Sequence, residues 1–408
     1  MSAATPLQRR LTQQLEQIRA ADLYRLRRVI DGAHGAQIRV DGRDCINFCS
    51  NDYLGLASDP RIAAAAQRAL GESGTGSGAA ALVSGYNREH RALEEELAAF
   101  LQRPRALLFS TGWAANLGAL RALLSKDDVL IADELNHASL IDGGRLSGAE
   151  YLRVAHADVR AFEQALSGVA RREARVTLLV SDGVFSMDGD LAPLPELTQL
   201  CAAHDAALMI DDAHGFGVLG PGGRGIVEHF ATRPPDIHVA TLGKSLGCAG
   251  AFVAGSDDLI EYLVQRARSW VFSTAPPPAI AAAARAALRI VAGPEGQERR
   301  KRLRAIIARF RDGCRQLDVS LSESATPIQP LVIGAEAPAL ALSRALLDAG
   351  LWVAAIRPPT VPRGTSRLRI TFSAAHTDEQ VDRLVEALAK AVVGRPAAAG
   401  GQGQPCEA

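Results

Sequence analysis

Lys244 holds the position in this chain that most needs a chemical reason. It follows the apolar run Ile237 to Ala240, which reads as a buried strand, and lies in the stretch Ala240-Thr241-Leu242-Gly243-Lys244-Ser245-Leu246-Gly247. Burial penalises an ammonium, so such a lysine either turns back to solvent or has a lowered pKa and serves as a nucleophile. Lysines of the second kind bond covalently to carbonyl compounds. A solvated loop lysine looks the same in isolation, so the choice rests on the residues at the other strand ends.

The run Ala106 to Phe109 is followed by Ser110-Thr111-Gly112-Trp113, which opens a helix. Free backbone N–H groups and the helix dipole make that turn suitable for a phosphate, although an ordinary N-cap has the same appearance. After Val129 to Ala132 comes His137, either a capping residue or a flat imidazole laid on an aromatic cofactor. After Val176 to Val180 the turn Asp182 to Asp190 offers the hydroxyl of Ser186. After Ala206 to Ile210 comes Asp211-Asp212-Ala213-His214-Gly215. An unpaired carboxylate at the end of an apolar strand is costly, but it is tolerable opposite a protonated pyridine nitrogen. A metal pair of Asp211 and His214 is the competing reading, and no third ligand cluster accompanies it. Taken in order with Thr241 and Lys244, these groups are what pyridoxal 5′-phosphate (PLP) requires. They supply a phosphate cradle, a stacking ring, donors to the phenolic oxygen, a pyridinium partner and an amine for the aldehyde.

The elements that position them alternate short apolar strands with amphipathic helices, the pattern of a parallel sheet covered on both faces. Ligands of such sheets bind beyond the carboxyl ends of the strands. Ahead of the sheet, Leu7, Leu11, Leu15, Ile18 and Leu23 mark an amphipathic helix within residues 6 to 30, and Gln37 to Phe48 alternates about Asp41-Gly42 as a hairpin. A helix starts near Asp59-Pro60 and another near Glu89. The glycine-rich segment between them, Gly71 to Gly85, reads as a tight approach to a ligand or second chain. The last part carries helices at about 276 to 293, 296 to 315, 338 to 349 and 377 to 393, with strands at Ile328 to Ile333, Leu351 to Ile356 and Leu368 to Phe372. The expected organisation is an N-terminal helix and hairpin segment (1–50), a large PLP-binding domain (51–290), a small C-terminal domain (291–394) and a disordered tail (395–408).

The 408 residues carry 45 Lys plus Arg against 45 Asp plus Glu. That balance disfavours nucleic acid or an anionic membrane as a partner, and no stretch is long and apolar enough to span a bilayer. The six cysteines form no C-x-x-C pair and no secretory signal precedes them, which reads as reduced thiols in a cytoplasmic protein. No G-x-G-x-x-G joins an early strand to a helix, which disfavours a dinucleotide-binding dehydrogenase.

The chain resembles the α-oxoamine synthases, which condense an amino acid with an acyl thioester and release carbon dioxide. The resemblance runs from about residue 20 to 390. It is carried by Ser50-Asn51-Asp52-Tyr53-Leu54-Gly55-Leu56, His137-Ala138-Ser139-Leu140, Gly183 to Asp190, Asp211 to Gly215 and Thr241 to Lys244. It implies an α/β fold of the fold-type-I, aspartate-aminotransferase-like PLP transferases, with a large mostly parallel sheet domain and a smaller C-terminal α/β domain. The stretch Ile356 to Thr365 is most similar to the biotin-pathway branch. That likeness implies L-alanine and a pimeloyl thioester, carried on coenzyme A or an acyl-carrier protein, as substrates. Alternatives are a sister synthase using glycine with another acyl-CoA, a simple aminotransferase, and a non-catalytic scaffold, which would be expected to lack Lys244.

Residue by residue, the resemblance implies that Lys244 holds PLP, that Asp211 pairs with its ring nitrogen and that His137 stacks on the ring and contacts substrate. Ser186 and His214 address the phenolic oxygen, while Gly112, Trp113 and Thr241 hold the phosphate. The family forms homodimers, so Ser273 and Thr274 are expected to reach the partner's phosphate. Arg25, Asn51, Arg357 and Thr360 match substrate-contacting positions, with Arg357 suited to the amino-acid carboxylate and Arg25 to the acyl donor. Two departures stand out: Ala79-Ala80-Ala81 follows Gly76-Ser77-Gly78 where the family often has Arg or His, and Trp113 replaces an expected Phe.

Overall fold

The computed structural model describes residues 5–169 and 176–392, so the expected tail 395–408 lies outside the described residues. The chain divides into two compact units: Asn51–Arg304 with Ser373–Ala375, and Met1–Ser50 with Ala305–Phe372 and His376–Ala408.

The first unit is built on seven strands: β1 (Arg105–Phe109), β2 (Val129–Asp133), β3 (Glu150–Val154), β4 (Thr177–Asp182), β5 (Ala207–Asp211), β6 (Ile237–Thr241) and β7 (Ala251–Gly255). Their order is β1-β7-β6-β5-β4-β2-β3. β7 runs antiparallel to both β1 and β6, and the other neighbours are parallel. Because successive strand residues face opposite sides, the central strands β2, β4 and β5 feed two cores. Leu130, Val180, Met209 and Val239 pack with Ala115, Ala119 and Leu120 of the helix Gly112–Leu123. Ile131, Leu179, Leu208 and Ile210 pack on the other side with Phe162, Leu166, Leu194 and Leu197. Burying each such side chain contributes about 1.5–3 kcal/mol, which is why the central strands read as unbroken apolar runs.

Two features depart from the alternating pattern. Residues Glu150–Val154 form an edge strand that has no apolar run, because Glu150 and Arg153 face water there. The run after Lys244 returns antiparallel as β7, so the chain turns sharply at Lys244 instead of crossing over through a helix.

In the second unit the hairpin pairs Gln37–Val40 with Arg43–Asn47. Asp41 and Gly42 both have positive φ, as a two-residue turn with the right twist demands. Arg43–Asn47 also pairs in parallel with Leu351–Trp352, which joins the first fifty residues to the C-terminal part of the chain. The single strand expected at 351–356 is split in two. Leu351–Trp352 completes a four-stranded sheet, whereas Ala354–Ile356 joins Ile328–Gly334 and Ser366–Thr371 in a three-stranded one. The first helix is Pro6–Ala20, capped by a reciprocal pair of bonds between Thr5 and Gln8, and it leaves Leu7, Leu11, Leu15 and Ile18 exposed. Among the described residues no helix is long and apolar enough to cross a membrane, and Cys45, Cys49, Cys201, Cys248 and Cys314 are free thiols.

Candidate active site

The turn after β6 fixes Lys244. The N–H of Gly247 donates to the carbonyl of Lys244 at 2.8 Å, and that of Cys248 donates to Leu242 at 2.9 Å. Gly247 has φ +66°, and a Cβ there would come within 2.3 Å of the backbone nitrogen of Ala57. Only glycine lets the two backbones approach so closely. Lys244 is half-buried, and its Nζ lies 2.7 Å from His214 Nε2. His214 Nδ1 lies 2.6 Å from the hydroxyl of Tyr53, which donates to Asn51 Oδ1 at 3.1 Å. Since the one phenolic proton goes to Asn51, His214 Nδ1–H donates to Tyr53 and Nε2 accepts from Lys244. A directed chain therefore runs from Lys244 through two buried rings to Asn51.

Asp211 ends β5 and is buried. It accepts from the Ala213 N–H at 3.0 Å and from Asn116 Nδ2 at 2.7 Å. The second amide proton of Asn116 goes to Ser139 Oγ at 2.8 Å, and Ser139 Oγ meets His137 Nδ1 at 2.7 Å. Asn116 Oδ1 is buried without a hydrogen-bond partner. Leaving that oxygen unsatisfied costs about 1–3 kcal/mol, which a bond donated to a charged acceptor, worth about 1.5–3 kcal/mol, offsets.

His137 caps the helix Ala138–Ser147, and its N–H donates to Asp182 Oδ2 at 2.6 Å. Burial holds the imidazole of His137 below its usual pKa, with Lys244 acting in the same direction and Asp211 against it. Asp182, at the end of β4, is pushed well above the usual carboxylate range by burial and then by the charge of Asp211. Both shifts place His137, Asp182, Asp211 and Lys244 in one electrostatic neighbourhood.

The adjoining Asp212 points to the opposite face, where it accepts from the N–H of Ile226 at 2.9 Å and meets His238 at 3.3 Å. Asp211 and His214 thus have separate partners, and among the described residues no cluster of His, Cys, Asp and Glu is arranged to hold a metal ion.

At the start of the helix Gly112–Leu123, Thr111 Oγ1 accepts from Ala114 N–H at 3.0 Å, while the N–H groups of Gly112 and Trp113 have no acceptor within the helix. A Cβ added to Gly112 would meet nothing within 4 Å, so open space borders the first residue of this helix. The Trp113 ring sits edge-on to His137, with centroids 6.1 Å apart. Thr241 Oγ1 donates to Gly250 O at 3.0 Å and accepts from Gly243 N–H at 3.2 Å, bracing the Lys244 turn.

Ser186 is half-buried at the tip of a loop closed by Phe185 and Asp190. That loop is tied to the end of β2 by His156, whose Nε2 meets Asp190 at 2.8 Å and Nδ1 meets Asp133 at 3.1 Å. Ser273 donates to Ser269 O at 2.7 Å, and Thr274 forms an antiparallel bridge with Ala80 of the glycine-rich segment.

The other expected substrate residues lie in the second unit, where they meet one another. Arg25 Nη2 donates to Thr360 Oγ1 at 3.3 Å, and Arg357 donates to the carbonyls of Asp22 and Tyr24. Burial, followed by the charge of Arg25, lowers the Arg357 guanidinium pKa. Asn116, Ser139, Asp182, Tyr53 and His156 were not singled out as site residues by the sequence reading. The signals for Ser139 and Tyr53 were nonetheless present, since both fall inside the motifs quoted for the family.

The residues present fit PLP. Asp211 is a buried carboxylate with two accepted bonds and lone pairs to spare, Lys244 offers an amine, and the open helix start offers N–H donors to a phosphate. Comparison with known proteins agrees. Residues 43–388 match the family of class I and II aminotransferases. The 8-amino-7-oxononanoate synthase of Thioalkalivibrio sulfidiphilus is 57% identical over 95% of this chain and 98% of its own length. A solved serine palmitoyltransferase from S. paucimobilis with a bound PLP–myriocin aldimine superposes with a TM-score of 0.88 at 29% identity, covering 95% of this chain and 98% of that one. A solved 8-amino-7-oxononanoate synthase from Francisella tularensis superposes with a TM-score of 0.73 at 31% identity, covering 86% and 98%.

Proposed function

We propose, from the premise that this chain belongs to the class I and II aminotransferase family and within it to the 8-amino-7-oxononanoate synthases, PLP-dependent acyltransferases of biotin biosynthesis, that it condenses L-alanine with a pimeloyl thioester. The products are 8-amino-7-oxononanoate, carbon dioxide and the free thiol. The observation that carries the reading is Lys244 Nζ held 2.7 Å from His214 in the same neighbourhood as the buried carboxylate of Asp211.

When bound, PLP would supply an electron-poor ring able to stabilise negative charge at the alanine Cα. Asp211 keeps a ring nitrogen protonated by offering a carboxylate that two fixed donors hold in place. Lys244 is the base for the Cα proton, and His214 accepts from its Nζ, which leaves the nitrogen lone pair for that proton. His137, with Nδ1 accepting from Ser139, carries its proton on Nε2 and offers it to a substrate oxygen. The new bond joins the alanine Cα to the thioester carbonyl carbon as the C–S bond breaks and the thiol leaves with a proton. The alanine carboxylate then leaves as carbon dioxide, and the Cα takes up a proton from water in its place.

Gly112, Trp113 and Thr241 serve the phosphate, Ser186 serves the phenolic oxygen, and His214 addresses that side of the cofactor by holding Lys244. Ser273 and Thr274 serve the phosphate of the second copy in a homodimer. Arg357 takes the alanine carboxylate, and Arg25, Asn51 and Thr360 contact the substrates. The setting is the cytoplasm, with the thioester on coenzyme A or an acyl-carrier protein. Product mass spectrometry tests the reading: alanine with pimeloyl-CoA gives 8-amino-7-oxononanoate, whereas turnover with glycine or serine and another acyl-CoA in its place would refute it.

A further inference from the structure

We infer that Asn116 is a positioning residue that links the carboxylate of Asp211 to the protonation site of His137, a role that rests on the cofactor reading above. The Asn116 amide nitrogen can only donate, and its two protons go to Asp211 Oδ2 at 2.7 Å and Ser139 Oγ at 2.8 Å. Ser139 Oγ therefore accepts from Asn116 and turns its own proton to His137 Nδ1 at 2.7 Å. The Ser139 backbone N–H approaches the same nitrogen at 3.3 Å. With two donors on Nδ1, the proton of neutral His137 resides on Nε2.

The amide orientation is one that the protein holds against a cost. Asn116 Oδ1 is buried and has no partner, so rotating the amide would be expected to relieve it if the surroundings were indifferent. The rotated amide would instead set its oxygen against Asp211 Oδ2, so the observed orientation is favoured only while Asp211 is an acceptor. The residue is well placed for this task. Asn116 lies one turn into the helix Gly112–Leu123 and is buried, between the core residues Ala115 and Ala119 in sequence. A single side chain thus orients the acid expected at the cofactor's nitrogen and, through Ser139, the imidazole expected on its face.

The test uses the full-length chain with and without PLP, and variants Asn116→Ala, Asn116→Asp and Ser139→Ala. Nitrogen-15 signals of His137, assigned with His137→Gln, report the tautomer without cofactor. The PLP dissociation constant and the pH midpoint of the bound visible band report the Asp211 arm. Asn116→Ala is expected to raise the dissociation constant about tenfold or more and to mix the His137 tautomers. Ser139→Ala should mix the tautomers while moving the dissociation constant far less. Asn116→Asp keeps the side-chain volume, so it decides the matter should Asn116→Ala unfold; it should weaken PLP binding by setting an acceptor against Asp211. A folded Asn116 variant with wild-type His137 signals and a dissociation constant within twofold would overturn the inference. Failure of wild-type protein to bind PLP would refute the cofactor reading instead, and the His137 signals would still decide the role of Asn116.

Discussion

Asp182 and Asp211 stand directly opposite one another at the carboxyl ends of the adjacent parallel strands β4 and β5. Two buried carboxylates in register repel, and the structure separates their duties. Asp182 accepts from the backbone N–H of His137 and has its pKa pushed up, while Asp211 accepts two fixed donors. An amide can therefore replace Asp182 and still accept from His137, but it cannot replace Asp211. Asp182→Asn is expected to hold PLP within a few fold of wild type. Asp211→Asn loses a charge-assisted bond worth about 1.5–3 kcal/mol, hence about 10- to 150-fold in the dissociation constant measured by absorbance titration.

Tyr53→Phe removes the oxygen that accepts His214 Nδ1–H. A buried donor left unsatisfied costs about 1–3 kcal/mol. The expected outcome is a fall in kcat of about 10- to 100-fold with a shifted pH profile, because His214 no longer presents a fixed acceptor to Lys244. Steady-state rates across pH check it, with Tm as the control for folding.

Gly247→Ala sets a Cβ against the Ala57 backbone at 2.3 Å in a left-handed conformation. Both effects act on the Lys244 turn, and the expected loss is about 2 kcal/mol or more, read as a lower urea midpoint. Gly42→Ala, where φ is also positive but nothing lies within 4 Å, should lose only the conformational part.

His156 bears on stability through pH. Hydrogen bonds to Asp133 and then Asp190, with their charges, outweigh burial and raise its pKa from 6.5 to about 10. The unfolded histidine loses its proton near 6.5, whereas the folded one keeps it. Its stabilising contribution is thus complete below about pH 6.5 and is lost as pH rises through about 10. The stability gap between wild type and His156→Gln, measured by denaturant unfolding, should shrink steadily across that window.

The legible part of this molecule was the part where burial leaves a mark on the sequence. β1, β2, β4, β5 and β6 are apolar runs because both faces are covered, and the polar residue ending each run announced the candidate site. The edge strand Glu150–Val154 was hidden because Glu150 and Arg153 face water and interrupt any apolar run. The division at Val353 was hidden because one continuous apolar run, 351–356, serves two different sheets. The supporting residues were silent for a different reason. Asn116, Asp182 and Tyr53 act by hydrogen bonds to partners 95, 45 and 161 positions away, and no local pattern encodes such pairings.

The most direct test of the account is borohydride reduction of the PLP-loaded protein followed by peptide mass spectrometry. A pyridoxyl group is expected on the peptide containing Lys244, and none in the Lys244→Ala protein. A label on another lysine, or a label that survives Lys244→Ala, would contradict it.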